Sequence, residues 1–257
     1  MRSVAKTKAK GKPAGKSKAK PSRPVKAAKT TRAKTAAAQL IARGSSPVIA
    51  VALPPPPHDE MIAPRDIARL LRYGERFGAR RIDVRMLPLQ LPVSSGHLAI
   101  VDPGAPKSWR VFDRPIGGGA FRVMLSLARD DAGGERLAAV VIHVGRPPIT
   151  RWTVAHYTGQ KKPKSADALP RCPITSGWLA LIDAGEGSPG AIAVPPAQGL
   201  QPIDVPLTDG RRALALPCGN GDFAAYWAID AADKPICLVV DFEVFSLKEW
   251  KARPSSP

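Results

Sequence analysis

The first 47 residues of this chain contain no acidic residue, and that absence divides the sequence. The same stretch carries 14 basic residues, whereas residues 48–257 hold the other 25 together with all 21 Asp and Glu. The formal charge of +18 is therefore +14 on a terminal segment and only +4 on the remainder. Cysteine is scarce. Cys172, Cys218 and Cys237 are odd in number and show no C-x-x-C spacing, which excludes a disulfide scaffold. The histidines His58, His97, His143 and His156 are scattered without an H-E-x-x-H motif, so neither a metal nor a cofactor is expected. No apolar run approaches the roughly 18 residues of a membrane helix. The N-terminus also lacks the apolar core of a secretory signal. The expectation is a bacterial protein of the cytoplasm, or one associated with the nucleoid, without membrane contact.

Lys6, Lys8, Lys10, Lys12, Lys16, Lys18, Lys20, Lys26, Lys29, Arg32 and Lys34 are interleaved with Ala, Gly, Pro, Ser and Thr. Such a segment has almost nothing to bury, so folding cannot recover its conformational entropy, and residues 1–47 are expected to form a disordered tail. In composition it resembles the tails of linker histones. Its chemistry is non-specific attraction to nucleic acid or another polyanion, driven by counterion release. The tail has no aromatic residue, which removes base stacking. Pro54 to Pro57 impose extended geometry, so residues 48–58 read as a linker and 59–257 as a globular domain.

In that domain Ile67, Leu70 and Leu71 after Pro64 predict an N-terminal helix ending at Gly74 or Gly78, with Arg65, Arg69 and Arg72 turned outward. From Ile82 onward the texture is short apolar or alternating runs between turn signals. These are Ile82–Met86, Gly96–Val101, Phe121–Leu127, Leu137–Val144, Trp178–Ile182, Ala191–Val194, Ala213–Leu216, Ala224–Ile229 and Ile236–Phe245. The expected fold is mostly β, a sandwich or barrel-like domain with one N-terminal helix.

An internal echo predicts two similar β-halves. Pro92-Val-Ser-Ser-Gly-His-Leu-Ala-Ile-Val-Asp102 matches Pro173-Ile-Thr-Ser-Gly-Trp-Leu-Ala-Leu-Ile-Asp183 at an offset of 81, with six of eleven positions identical. On one reading Ser95, Gly96 and Asp102, with Ser176, Gly177 and Asp183, flank a shared cleft. On the other, Ser-Gly makes a bend, the apolar residues enter the core, and Asp caps a turn.

Catalytic templates fit poorly. There is no G-x-S-x-G elbow, Gly117-Gly118-Gly119 lacks the Lys-Ser/Thr of a phosphate loop, and no Asp-Ser-Gly or Asp-Thr-Gly triplet supports a carboxylate dyad. The polar feature best suited to a ligand is the loop of Gly219, Asn220, Gly221 and Asp222, beside Tyr226 and Trp227. The same loop also reads as a tight turn with an Asx bond. Trp152 after Arg151 reads either as a packed indole or as a binding platform.

Taken in order, several segments resemble the bacterial family catalogued as domain of unknown function 4241, over about residues 85–247. They are Ser95–Pro103, Pro115–Gly119 leading into Phe121–Leu127, Ala138–Val144, Arg151–Ala155, the second Ser-Gly-to-Asp segment, Gly219–Asp222, Tyr226-Trp227, and Leu238-Val-Val-Asp241-Phe242. The chain departs from the family pattern at Gly221-Asp222-Phe223 and at Cys172-Pro173. The resemblance implies an architecture and confers no activity. Charge segregation and the failure of the templates point to a non-enzymatic interaction domain with a nucleic-acid-binding tail. The alternatives are a hydrolase or ligand-binding enzyme using Asp102, Asp183 and Asp222 in one cleft, and an immunity or regulatory protein that binds a protein partner.

Overall fold

The computed structural model describes residues 59, 62, 65–161, 168–196 and 199–252. The lysine-rich segment, with every cation named above as a nucleic-acid contact, and the linker 48–58 lie outside the described residues. No described helix is long and apolar enough to cross a membrane.

The alternation of Phe121–Leu127 becomes strand β5 (Gly119–Arg129). Its Val123, Leu125 and Leu127 point between two sheets, and Met124 and Ala128 point to the opposite face. Pairing is antiparallel throughout. The larger sheet runs β1 (Arg76–Phe77), β2 (Arg80–Val93), β5, β6 (Glu135–His143), β13 (Pro235–Asp241), β12 (Gly221–Ile229) and β7 (Arg151–Val154), with β8 (Arg171–Ile174) also on β12. The smaller sheet runs β10 (Ile203–Pro206), β11 (Arg212–Pro217), β9 (Trp178–Asp183), β3 (Leu98–Asp102) and β4 (Ala105–Val111).

β3 and β9 read as unbroken apolar runs because both of their faces are covered. Leu98, Ile100, Leu179 and Leu181 enter the core between the sheets. Ala99, Val101, Ala180 and Ile182 pack outward against Ile192 and Val194 of the long connection between β9 and β10. The expected strand at Ala191–Val194 is that covering loop. A strand follows instead at Ile203–Pro206.

The echo is the visible part of a complete duplication. β2, β3, β4, β5 and β6 recur in order and in sheet position as β8, β9, β11, β12 and β13. A pseudo-twofold axis relates them, and it can be located from register. Ile100 and its equivalent Leu181 pair directly across β3 and β9. In the larger sheet Arg122↔His143 corresponds to Ala224↔Asp241, and the bond from Val144 N to Ile236 O corresponds to that from Phe242 N to Ala138 O. This makes Val141 and Val239 equivalents, and they too pair directly.

The outer face of the larger sheet is covered at one end by residues 65–71 and 247–251. The expected N-terminal helix is a 3-10 helix of five residues, Ile67–Leu71, begun by Asp66, whose side chain accepts from Ala68 N. Ile67 and Leu70 are buried as expected. Arg65 is not turned outward but set among Tyr226, Asp241 and Glu243. Nor is Arg69. It lies over the Phe77 ring at 4.1 Å and donates to Glu75 and to the carbonyls of Trp250 and Arg76. With tighter 3-10 geometry, 67, 70 and 69 do not sort onto two helical faces. A C-terminal helix α1 (Leu247–Lys251) completes the cover through Trp250, with Ser246 and Glu249 forming a capping box.

Candidate functional site

The two Ser-Gly-to-Asp segments bind each other. Asp102 accepts from the backbone and hydroxyl of Thr175 and from those of Ser176, while Asp183 accepts from the same four groups of Ser94 and Ser95. Each carboxylate thus closes the turn of the other half. Burial works to raise the Asp183 pKa, but the Ser94 and Ser95 donors outweigh it and hold the carboxyl at about 2. At Asp102 the donors from Ser176 and Thr175 likewise overcome burial and lower the pKa. Both groups are charged at neutral pH and act as staples. Because Asp183 lies opposite Leu98, Asp102 stands four residues further along the strand, about 13 Å away. They do not share a cleft. The Asp222 carboxylate is exposed on β12 and has no hydrogen-bond partner among the described residues, while its carbonyl accepts from Arg171.

The Gly-Asn-Gly-Asp loop has a twin that sequence reasoning missed. Pro115-Ile-Gly-Gly-Gly-Ala-Phe121 and Pro217-Cys-Gly-Asn-Gly-Asp-Phe223 share Pro, two Gly and Phe at an offset of 102. Gly117 and Gly219 have φ of 77° and 79°. Ile116 N donates to Gly96 O, and Cys218 N to Gly177 O. The loop is therefore a structural turn in both halves. In the second half it also walls a cleft of about 480 Å³, together with Gly177, Cys218 and Asn220. The cleft is further lined by Phe223 and Phe242, edge to face at 5.0 Å, and by Glu243. Burial pushes the Cys218 thiol up to about 12, so it is protonated at neutral pH.

Tyr226 and Trp227 do not share this site, because adjacent residues of a strand face opposite ways. Trp227 is buried between the sheets, 5.9 Å from Phe112, and Trp152 is buried on the outer face. Among the described residues neither indole nitrogen has a hydrogen-bond partner, and both act as packed rings.

Tyr226 instead joins Asp241 in a polar cluster on the outer face. Arg65 Nη1 reaches Glu243 Oε1 at 2.7 Å and Tyr226 OH at 3.2 Å, and stands 3.6 Å from Asp241 Oδ2. Arg171 pairs with Glu243 at 2.9 Å. Asp241 is fully buried, and burial outweighs the Glu243 amide and Arg65 to raise its pKa to about 6. Burial likewise raises the Tyr226 phenol to about 12. The duplication marks this cluster as belonging to one half, since the twin of Tyr226 is Met124 and that of Asp241 is His143.

Among the described residues no group of three His, Cys, Asp or Glu side chains is placed to hold a metal ion. No family model, curated protein sequence or solved structure matches this chain.

Proposed function

We propose that the chain is a binding module in which residues 1–47 attach non-specifically to nucleic acid and the duplicated β-domain performs no catalysis. The observation that carries this reading is the charge itself, 14 cations and no acid in 47 residues beside a domain of +4. Fourteen uncompensated charges release condensed counterions on contact with a phosphate backbone. The reading draws further support from Asp102 and Asp183, whose hydrogen-bonding capacity is spent inside the fold. Association with the nucleoid follows from the same tail. The test is a mobility shift of duplex DNA at low salt with the full chain and with a chain lacking residues 1–47. Salt-sensitive retardation by the full chain only is expected. Equal retardation by both would overturn the assignment to the tail.

A ligand-binding reading draws support from one cleft. The cleft lined by Phe223, Phe242 and Asn220 offers an aromatic floor beside a polar side chain, the combination of apolar surface and few polar groups that small-molecule sites use.

A further inference from the structure

The duplication exposes an arginine in a position that the other half gives to its core. Ile100 of β3 pairs with Arg110 of β4, and its equivalent Leu181 pairs with Leu214 of β11. Leu214 is 2% exposed and packs between the sheets, with β10 closing the edge beside it. β4, by contrast, is the last strand of its sheet, and Arg110 is half-buried there. Its guanidinium carbon lies 5.6 Å from the centre of the Tyr157 ring, which packs on Phe112 at 5.2 Å.

Three donors at this edge find no acceptor among the described residues. Arg110 Nε is buried without a hydrogen bond, and the side chain has no ion pair with a described carboxylate. Tyr157 is 4% exposed, and its hydroxyl is likewise unpartnered. Burial raises the pKa of that phenol, so it keeps its proton and can donate. Phe112 N donates to Leu98 O, a register that turns the Val111 N–H and carbonyl away from β3. The carbonyl accepts from Thr158 N, but no described acceptor meets the N–H. A cavity of about 440 Å³ opens here, walled by Trp109, Arg110, Val111, Tyr157 and the turn at 158–160. No described acidic side chain lines it.

We propose that this cavity binds a small organic carboxylate. A partly desolvated guanidinium without a counter-charge is costly to the fold, and its planar fork matches a carboxylate with two parallel hydrogen bonds. The Tyr157 hydroxyl and the Val111 N–H are further donors suited to an anion. The Trp109 and Tyr157 rings select a carboxylate with an apolar or aromatic body, and the volume falls in the range of small-molecule sites. Inorganic phosphate, with nearly two charges, would want a second cation. The proposal rests neither on the tail nor on the cleft beside Asn220.

The probe is 4-fluorobenzoate, followed by its ¹⁹F signal in a titration with the full-length protein at a salt concentration that screens the tail. Saturable binding is expected, and the neutral isostere 4-fluorobenzamide should bind about tenfold more weakly or worse. R110L introduces the residue that the second half carries at the equivalent position. It should weaken binding about tenfold or more without lowering the unfolding midpoint. Y157F keeps the ring and should weaken binding about threefold. Absence of saturable binding at millimolar probe would overturn the proposal. Equal binding of the amide, or R110L and Y157F titrations that match wild type, would do the same. Displacement of the probe by an equal concentration of inorganic phosphate would overturn the choice of an organic carboxylate.

Discussion

The Asp241 carboxylate lies 3.6 Å from Arg65 Nη1, yet among the described residues its Oδ2 accepts no hydrogen bond. Attraction without a bond does not repay its removal from water, and burial lifts its pKa to about 6. A carboxyl whose folded pKa lies above its unfolded value binds its proton more tightly when folded. Its cost to stability is then fully present above pH 6 and disappears as pH falls towards 4. Asp241→Asn should therefore raise the unfolding midpoint at pH 7.5, by about 4 °C for a gain on the order of 1–2 kcal/mol. The difference from wild type should shrink to about a third by pH 4.5. Thermal unfolding at both values checks it, and a pH-independent difference would remove Asp241 as the titrating group.

Asp183 has the opposite sign. Its folded pKa of about 2 lies below the unfolded value, so its stabilisation is present above about pH 4 and is lost as pH falls towards 2. Asp183→Ala leaves the Ser94 and Ser95 amides and hydroxyls without their acceptor, at a cost of roughly 3 kcal/mol at pH 7. Asp102→Ala should cost a similar amount. The double variant should be additive within about 0.5 kcal/mol, since the carboxylates share no partner and stand far apart. Denaturant unfolding of the three variants measures this.

Much of the architecture was legible because periodicity reports burial directly. The alternation of Phe121–Leu127 and the apolar run of Trp178–Ile182 each gave a strand. The eleven-residue echo gave the two halves, and the turn-and-cap reading of its Ser, Gly and Asp residues describes what they do. β4 and β7 were missed, because Lys107, Ser108 and Thr153 interrupt any apolar pattern where strands lie near a sheet edge. The Ser246-x-x-Glu249 signature of α1 stood in the sequence unread. Arg65 had no local signal at all. Its partners Tyr226, Asp241 and Glu243 are more than 160 residues away, and only the fold brings them together.

Gly104 sits behind one staple. A Cβ built there would lie 2.7 Å from Ser176 Cβ, so Gly104→Ala must displace the hydroxyl that Asp102 holds. Gly187 has open space around it and serves as the control. A loss of about 1–3 kcal/mol is expected for Gly104→Ala and almost none for Gly187→Ala. Comparable midpoints for the two variants would contradict the close approach.

Burial raises all three thiols, Cys172, Cys218 and Cys237, to about 12. At pH 8 each then carries about a thousandfold less thiolate than a free cysteine, and the native protein should react slowly with a disulfide reagent. Cys218 should react first, because it is only partly buried and lines the cleft. Mass spectrometry after brief labelling identifies the site. Prompt modification of Cys172 or Cys237 would show that the interior opens.

If the tail contacts phosphates as a plain polycation, replacing lysines with glutamine should flatten the salt dependence of DNA affinity. The log–log slope should fall by about 0.9 per lysine removed, whichever lysines are chosen. A strong dependence on which lysine is replaced would instead reveal a shaped contact.

The duplication also dictates an order of assembly. Hairpins β5–β6 and β12–β13 are local and can close as soon as they are made. The pairs at the middle of each sheet, β3 with β9 and β6 with β13, join residues about 80 to 100 positions apart. A nascent chain that has emerged only as far as β7 therefore holds two half-sheets, each with its central edge bare and apolar. It must be shielded from neighbouring chains until the second half arrives.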